Sequence, residues 1–454
     1  MSSAVEHPQQ SDVDVEVPGV VGSGLRVPLI TGGTAEYANL DHGASAPCLT
    51  AVRDAVDALL PWYASVHRGA GFASQVCTRV YESARDVLRR FVGARRDDSV
   101  IFTRNTTDAV NLLAAAVPDG TSVVVFDTEH HAALLPWGSE VRRLGIPASA
   151  DEAVRALDEA LADCPEGPKL AVLTGASNVT GELWPVAELA RVARRRGART
   201  LLDAAQLAPH RPVRIAELGV DHVVLSGHKL YAPFGAGALI GRADWLDAAP
   251  PYLAGGGATR AVPDDGVIDW NTGPERHEAG SPNTVGVHAL ATACRVWSEH
   301  AESIIAHEDA LLIRLRAGLR DIPGLRELSL FGPEHARVGV VSLTVQERDA
   351  GQNGDAGQAR DPGLLASALS AEHGIGVRDG LFCAHRAVRH LLAGSGAQRA
   401  LRVSIGLGTT TEHVDRFVDA LRGLVADGPS SRYALVEGGW VPEHDPRGFP
   451  AALN

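Results

Sequence analysis

Leu225-Ser226-Gly227-His228-Lys229-Leu230-Tyr231 sets a lysine in a small, polar turn between two apolar runs, His222 to Leu225 and Gly237 to Ile240. Both runs have the length and composition of buried strands. Among 42 lysines and arginines only Lys169 and Lys229 are lysines. Arginine cannot give up its proton in a protein, whereas lysine can, and a deprotonated lysine amine forms Schiff bases. A lysine kept where the chain otherwise uses arginine is therefore a candidate covalent catalyst. The plain alternative is a surface turn residue.

The pattern around this turn is an alternation of strands and helices. Ser122 to Phe126, Lys169 to Thr174, Thr200 to Leu202, Val220 to Leu225 and Gly237 to Ile240 read as strands, with Val100 to Thr103 ahead of them. Helical spacing is found over Thr50 to Tyr63, Val80 to Phe91, from Thr106 onward and over Pro185 to Arg196. Near-continuous apolar strands separated by helices predict a mostly parallel sheet covered on both faces. A helix over Ala289 to His300 leads to a different pattern: strands at Val338 to Val345, Ile375 to Arg378 and Ala400 to Ser404, helices at Leu364 to Glu372 and Glu412 to Leu424. That is an α+β unit. Gln346 to Gly363 reads as a polar insertion. The expected division is a flexible arm over 1–35, a large domain over 36–295, a small domain over 296–426 joined by the N-terminal segment, and a loose tail over 427–454.

At 454 residues, with 45% hydrophobic and 21% charged residues, the chain is an ordinary globular one. A net charge of −13 argues against non-specific nucleic-acid binding, which rests on neutralising phosphates. No run approaches the roughly 18 apolar residues of a membrane span, and the acidic N-terminus lacks the features of a secretory signal. Five cysteines without C-x-x-C spacing predict reduced thiols and a cytoplasmic location, with neither a disulfide framework nor a zinc site.

Four constellations carry candidate chemistry. Asp203 and Gln206 follow a strand, where open α/β sheets bind ligands. Asp is also the usual partner of a protonated pyridine nitrogen, although for Asp203 taken alone a helix cap is the plainer reading. Thr103-Arg104-Asn105-Thr106-Thr107 enters a helix, and a helix N-terminus attracts phosphate. Glu129-His130-His131 follows the strand at Phe126, and no metal-ligand spacing accompanies it. Gly376-Val377-Arg378-Asp379-Gly380-Leu381-Phe382-Cys383, with Arg402 downstream, puts a cysteine near arginines. Arginine suits bidentate binding of a carboxylate, and positive charge favours a thiolate.

In this order these residues resemble the class V aminotransferase-fold enzymes that use pyridoxal 5'-phosphate (PLP), and most closely the cysteine desulfurase and selenocysteine lyase group of the sulfur-mobilising subgroup. The matching stretches are Leu40-Asp41, VHRGA (66–70), FTRNTTDAVNLLA (102–114), EHHAALLPW (129–137), ASNVTGELWPV (176–186), DAAQLAPHRPV (203–213), SGHKLYAPFGAGAL (226–239), EAGSPNTVGVHAL (278–290) and GVRDGLFCA (376–384). The resemblance implies an α/β enzyme of PLP-dependent transferase fold type I: a large domain with a mostly parallel sheet and a smaller α+β C-terminal domain.

It also implies roles. Lys229 holds PLP as a Schiff base and shuttles a proton. Asp203 keeps the pyridine nitrogen protonated, Gln206 bonds the phenolic oxygen and His131 stacks on the ring. Thr106, Ser226 and His228 bind the phosphate, and Thr284 reaches the phosphate of a partner subunit in a homodimer. Arg402, with Asn178 and Arg378, grips the carboxylate of a small amino-acid substrate. Cys383 takes sulfur as a persulfide and hands it to an acceptor protein.

The chain departs from the pattern in three places. His42 stands where the family often has Asn, Gly71-Phe72 where it often has a second His, and Leu381-Phe382 where the subgroup has two His before the cysteine. The last change predicts an apolar loop, a poor setting for a thiolate. The competing readings are an aminotransferase, C–S lyase or epimerase with Cys383 a bystander, and a scaffold without turnover.

Overall fold

A computed structural model describes residues 16–138, 141–264, 266–346 and 360–450. Its central sheet has seven strands: β1 (Asp98–Thr103), β2 (Ser122–Phe126), β3 (Val141–Leu144), β4 (Lys169–Thr174), β5 (Arg199–Asp203), β6 (His222–Ser226) and β7 (Gly237–Arg242), in spatial order β1-β7-β6-β5-β4-β2-β3. From β3 to β6 every pairing is parallel, while β7 runs antiparallel to both β6 and β1. Alternate residues feed two separate apolar clusters. Val124 and Phe126 join one, Val123 and Val125 the other. The period of two thus buries both faces, which is why these strands are apolar throughout. The mostly parallel sheet expected from the sequence is present. Val-Arg-Arg-Leu at β3 escaped that reading because two arginines break the apolar run at a sheet edge.

A second sheet of four antiparallel strands lies in the C-terminal third, in the order Leu325–Glu327, Val340–Val345, Ala400–Ser404, Arg378–Gly380. It has its own apolar cluster, built with helices Ala301–Arg320, Pro362–His373 and Thr411–Asp427. Ala38 and Leu40 belong to this cluster, and Ala38–Asn39 pairs in parallel with Ile375–Gly376. The single strand expected over Ile375 to Arg378 is split between these two partners.

Both ends of the chain depart from expectation. Residues 1–15 lie outside the described residues, but Val20 bridges to Leu49, and Arg26–Pro28 pairs with Thr34–Glu36. After 427 the chain forms a hairpin, Tyr433–Val436 with Gly439–Pro442. Glu372 holds it, accepting from the Ser430 amide and hydroxyl, the Ser431 amide and the Tyr433 hydroxyl at 2.7–3.0 Å. Most of the polar insertion (347–359) lies outside the described residues.

A buried ion pair ties the 250–280 segment to β1. Glu278 accepts from Arg85 Nη2 at 2.7 Å, Arg85 Nη1 at 2.8 Å, the Phe102 amide at 2.7 Å and the Tyr81 hydroxyl at 2.8 Å. Removing Glu278 takes the acceptor from the Phe102 amide and the Tyr81 hydroxyl and leaves the buried Arg85 with only the exposed Glu82, at 2.9 Å. Glu278→Ala is therefore expected to destabilise the protein by about 3–5 kcal/mol, read as a lower urea midpoint in circular dichroism. An unchanged midpoint would show the clasp to be dispensable.

Candidate active site

The strands deliver their C-terminal ends to one cavity of about 300 Å³. Thr174 ends β4, Asp203 ends β5 and Ser226 ends β6, and Thr174 pairs directly with Asp203. Asn178, Gln206, His228 and Lys229 follow on the next turns and also line the cavity. Arg378, Cys383 and Arg402 complete it from the second sheet and its loops.

One end is built to take an anion. The Thr106 amide donates to Ser226 Oγ at 2.8 Å, and Ser226 Oγ donates to Thr106 Oγ1 at 2.9 Å. Thr106 opens α1 (Thr106–Ala116), whose unpaired amides and dipole favour negative charge. Asn105 caps it, accepting from the Asp108 amide at 3.0 Å. Gly237 makes this corner possible: a Cβ there would lie 2.8 Å from Asn105 Cα.

Lys229 and Asp203 occupy the floor. Burial lowers the Lys229 amine to about 8, with Arg402 adding to the fall and Asp203 opposing it. Burial raises the Asp203 carboxyl, opposed by the Ala205 amide and by Lys229. The Ala205 amide donates to Asp203 Oδ1 at 2.9 Å. Gln206 meets Lys229 through its oxygen, Nζ to Oε1 at 3.3 Å, while its nitrogen turns to His210.

Of the two histidines after β2, His130 and not His131 lines the cavity. His130 Nδ1 accepts from the Ala132 amide at 3.1 Å, which turns its ring inward. Burial, with Lys229, His131 and Arg402 nearby, lowers His130 to about 3, so it is neutral. His131 instead meets His385 edge to face at 4.5 Å. Of these adjacent residues on one turn, His130 reaches the cavity in which His131 was expected. Glu129, a candidate for no role in the sequence, is wholly buried, and bonds to Thr174. Burial and Asp203 raise its carboxyl to about 8.

The cysteine loop is not the apolar setting that Leu381-Phe382 suggested. Phe382 is buried in a cluster with Val179, Leu328 and Val388, whereas Cys383 is exposed. Positive φ at both residues, 49° and 53°, achieves this turn. Asn178 Nδ2 donates to the Phe382 carbonyl at 2.8 Å, and the His131 amide donates to the Cys383 carbonyl at 2.8 Å. Asn178 thus serves the loop with its amide nitrogen.

Arg402 is 2% exposed. It donates to the Asn178 carbonyl at 3.0 Å and to Asp41 Oδ1 at 3.1 Å. Arg378 also reaches Asp41, at 3.0 Å. Asp41 therefore sits between two arginines as an internal carboxylate, a position 361 residues away in sequence from Arg402. Thr284, expected to serve a partner subunit, stands apart from this cavity. It opens the helix Thr284–Glu299, is 1% exposed and lies outside the cavity lining.

The donor set fits PLP: an anion corner at a helix N-terminus, a buried carboxylate, a neutral imidazole and a lysine with a lowered pKa in one cavity. Among the described residues no cluster of three His, Cys, Asp or Glu is placed to hold a metal ion.

Comparison with known proteins agrees. A family model described as aminotransferase class-V matches residues 38–417. The chain is 34% identical over 373 residues to a cysteine desulfurase of Klebsiella pneumoniae, covering 80% of this chain and 86% of that protein. It is 34% identical over 388 residues to a probable cysteine desulfurase 1 of Mycobacterium leprae, covering 82% of this chain but spanning only 60% of that longer relative. The solved apo structure of a cysteine desulfurase from Thermococcus onnurineus superposes with a TM-score of 0.74 at 30% identity, over 86% of this chain and 95% of that one.

Proposed function

This chain belongs to the class-V aminotransferase family, whose members here are PLP-dependent enzymes, and on that premise we propose that it is a cysteine desulfurase. It removes sulfur from L-cysteine, leaves alanine and carries the sulfur as a persulfide on Cys383. The observation that carries this reading is an exposed thiol sharing one cavity with a buried lysine of lowered pKa and a buried arginine.

PLP bound in this cavity supplies an electron sink for the charge left when the substrate Cα loses its proton. Thr106, Ser226 and His228 would hold its phosphate and Asp203 its ring nitrogen, with the neutral His130 beside them in the same cavity. Arg402, with Arg378 beside it, binds the substrate carboxylate in competition with Asp41. Lys229 takes the proton from Cα and returns it to the product. The Cys383 thiolate attacks the substrate sulfur. A sulfur–sulfur bond forms and the Cβ–sulfur bond breaks, its electron pair passing to carbon, which is then protonated to give alanine. Cysteine and one enzyme thiol thus become alanine and one persulfide, with no outside oxidant.

The same proposal gives the chain a homodimer, a cytoplasmic location and an acceptor protein for the sulfur. Exposed Trp62, Tyr63, Phe72 and Leu253 supply apolar surface for a second copy. Its five free cysteines suit a reducing compartment. No helix among the described residues is long and apolar enough to cross a membrane. The separate apolar clusters support a division near residue 300, between helices Thr284–Glu299 and Ala301–Arg320.

Incubation of the loaded protein with L-cysteine and a thiol reductant tests the reading. Alanine and sulfide in equal amounts are expected. Pyruvate and ammonia in their place would make the chain a C–S lyase, and an unaltered visible band would remove cysteine as substrate.

A further inference from the structure

Arg402 is buried, and a buried guanidinium needs partners both for its charge and for its N–H groups. Nη1 donates to the Asn178 carbonyl at 3.0 Å and Nη2 to Asp41 Oδ1 at 3.1 Å. Nε is also enclosed and has no hydrogen-bond partner among the described residues. Two bonds, one at each Nη, leave the plane free to tilt about the line between them. The remaining contact is on the face: the Arg402 Cζ lies 5.0 Å from the centre of the Phe382 ring.

That ring is itself held. Phe382 packs against Val179, Leu328 and Val388, and its carbonyl accepts from Asn178 Nδ2 at 2.8 Å. The three residues close a circle: Arg402 on the Asn178 carbonyl, the Asn178 side chain on the Phe382 carbonyl, and the Phe382 ring on Arg402. A phenyl face attracts a cation and carries no lone pair, so it steadies the plane without taking an N–H for itself. A polar neighbour would accept from the guanidinium and turn it. A steady plane matters because a carboxylate takes two parallel N–H bonds only from a guanidinium that lies in its own plane. A group fixed beforehand also has less freedom to lose on binding.

We propose that Phe382 is a positioning residue for the substrate: its ring face fixes the plane of the Arg402 guanidinium in the orientation that receives the substrate carboxylate. Leu381-Phe382 is then a device for substrate binding, set beside the thiol by the chain itself. Asp41, Arg378 and Cys383 also act on the Arg402 charge, and a change in the electron density of the ring alters none of them. The proposal rests on Arg402 gripping the substrate carboxylate, and its test separates the two.

The test reads binding at the visible band of the loaded full chain, with two ligands that differ in one group. L-Alanine has the carboxylate and L-alaninamide lacks it. Phe382→Leu keeps an apolar side chain in the cluster and removes the ring face. It should weaken L-alanine by about tenfold, the scale of a buried cation–π contact, and leave L-alaninamide where it was. Increasingly fluorinated phenylalanines placed at 382 keep the shape of the ring while draining its face of negative charge. L-Alanine affinity should fall step by step along that series, which holds the fold even where leucine does not. A structural role alone would lower thermal stability in Phe382→Leu and weaken both ligands together or neither, which overturns the proposal. A flat fluorinated series overturns it too. An unaltered protein in which L-alanine binds no better than L-alaninamide removes the Arg402 reading and this one together. A clear preference for L-alanine that the fluorinated series does not reduce removes this one alone.

Discussion

Cys383→Ala is expected to keep the visible band of the loaded protein while cutting alanine and sulfide formation from L-cysteine by about a thousandfold or more, the scale on which enzymes lose rate with their nucleophile. No other thiol among the described residues can stand in. Cys77, Cys164 and Cys294 are buried and Cys48 lies outside the cavity lining. The loop that presents Cys383 is over-determined in the way that functional turns are. Two consecutive non-glycine residues at positive φ are disfavoured, by about 1–2 kcal/mol each, and persist only where surrounding contacts hold them. Those contacts are the Asn178 and His131 bonds to the loop carbonyls and the burial of the Phe382 ring, over which the Arg402 guanidinium lies at 5.0 Å. Phe382 is thus an anchor that turns the thiol outward, in place of a polar neighbour. The measurement is product analysis by mass, alanine against pyruvate, with the variant and the unaltered protein side by side. Undiminished alanine and sulfide from Cys383→Ala would sink the persulfide step.

How much of this was legible in sequence follows from distance along the chain. Lys229 stood out by composition, because the chain spends arginine almost everywhere else. Asp203 and Thr106 stood out by place, at the end of an apolar strand and the start of a helix, whereas Ser226 entered through the resemblance. Apolar runs marked six of the seven central strands for the same reason, and only β3, broken by two arginines, carried no such signal. What depends on a turn or on contacts across the fold was hidden. His130 and His131 are neighbours of one type, and only the amide that caps His130 Nδ1 decides which enters the cavity. Asp41 was visible as part of a matching stretch but not as the carboxylate between Arg378 and Arg402. Glu308 lies 2.8 Å from His210 and stands 98 residues beyond it, on a helix that the sequence reading did not place. The C-terminal hairpin looked like a loose tail because its strands are short and its anchor, Glu372, lies on another helix.

Lys229→Arg is expected to abolish covalent capture of PLP, so that borohydride no longer fixes the cofactor to the protein, and to remove turnover by about four orders of magnitude or more, beyond the usual span for loss of an acid–base group. Arginine keeps the positive charge and much of the length. The variant therefore separates the need for a cation in this cavity from the need for an amine that can be neutral. The pH dependence of capture carries the same argument in the unaltered chain. Capture requires the neutral amine, so its rate rises with pH through the amine's pKa and then levels. With Lys229 lowered to about 8 by burial, the rise should end near pH 8 to 9. An amine at the ordinary value of 10.5 would still be gaining rate at pH 10. Rapid mixing of the cofactor-stripped full chain with PLP, followed at the visible band, reads this curve. A plateau near 8 to 9 in the unaltered chain, with no capture at any pH in Lys229→Arg, ties the burial of a single lysine to the chemistry of the cavity. A rate still climbing at pH 10 would mean that the lysine is not held dry, and residual borohydride labelling of the arginine variant would move the attachment point to another amine, such as Lys169.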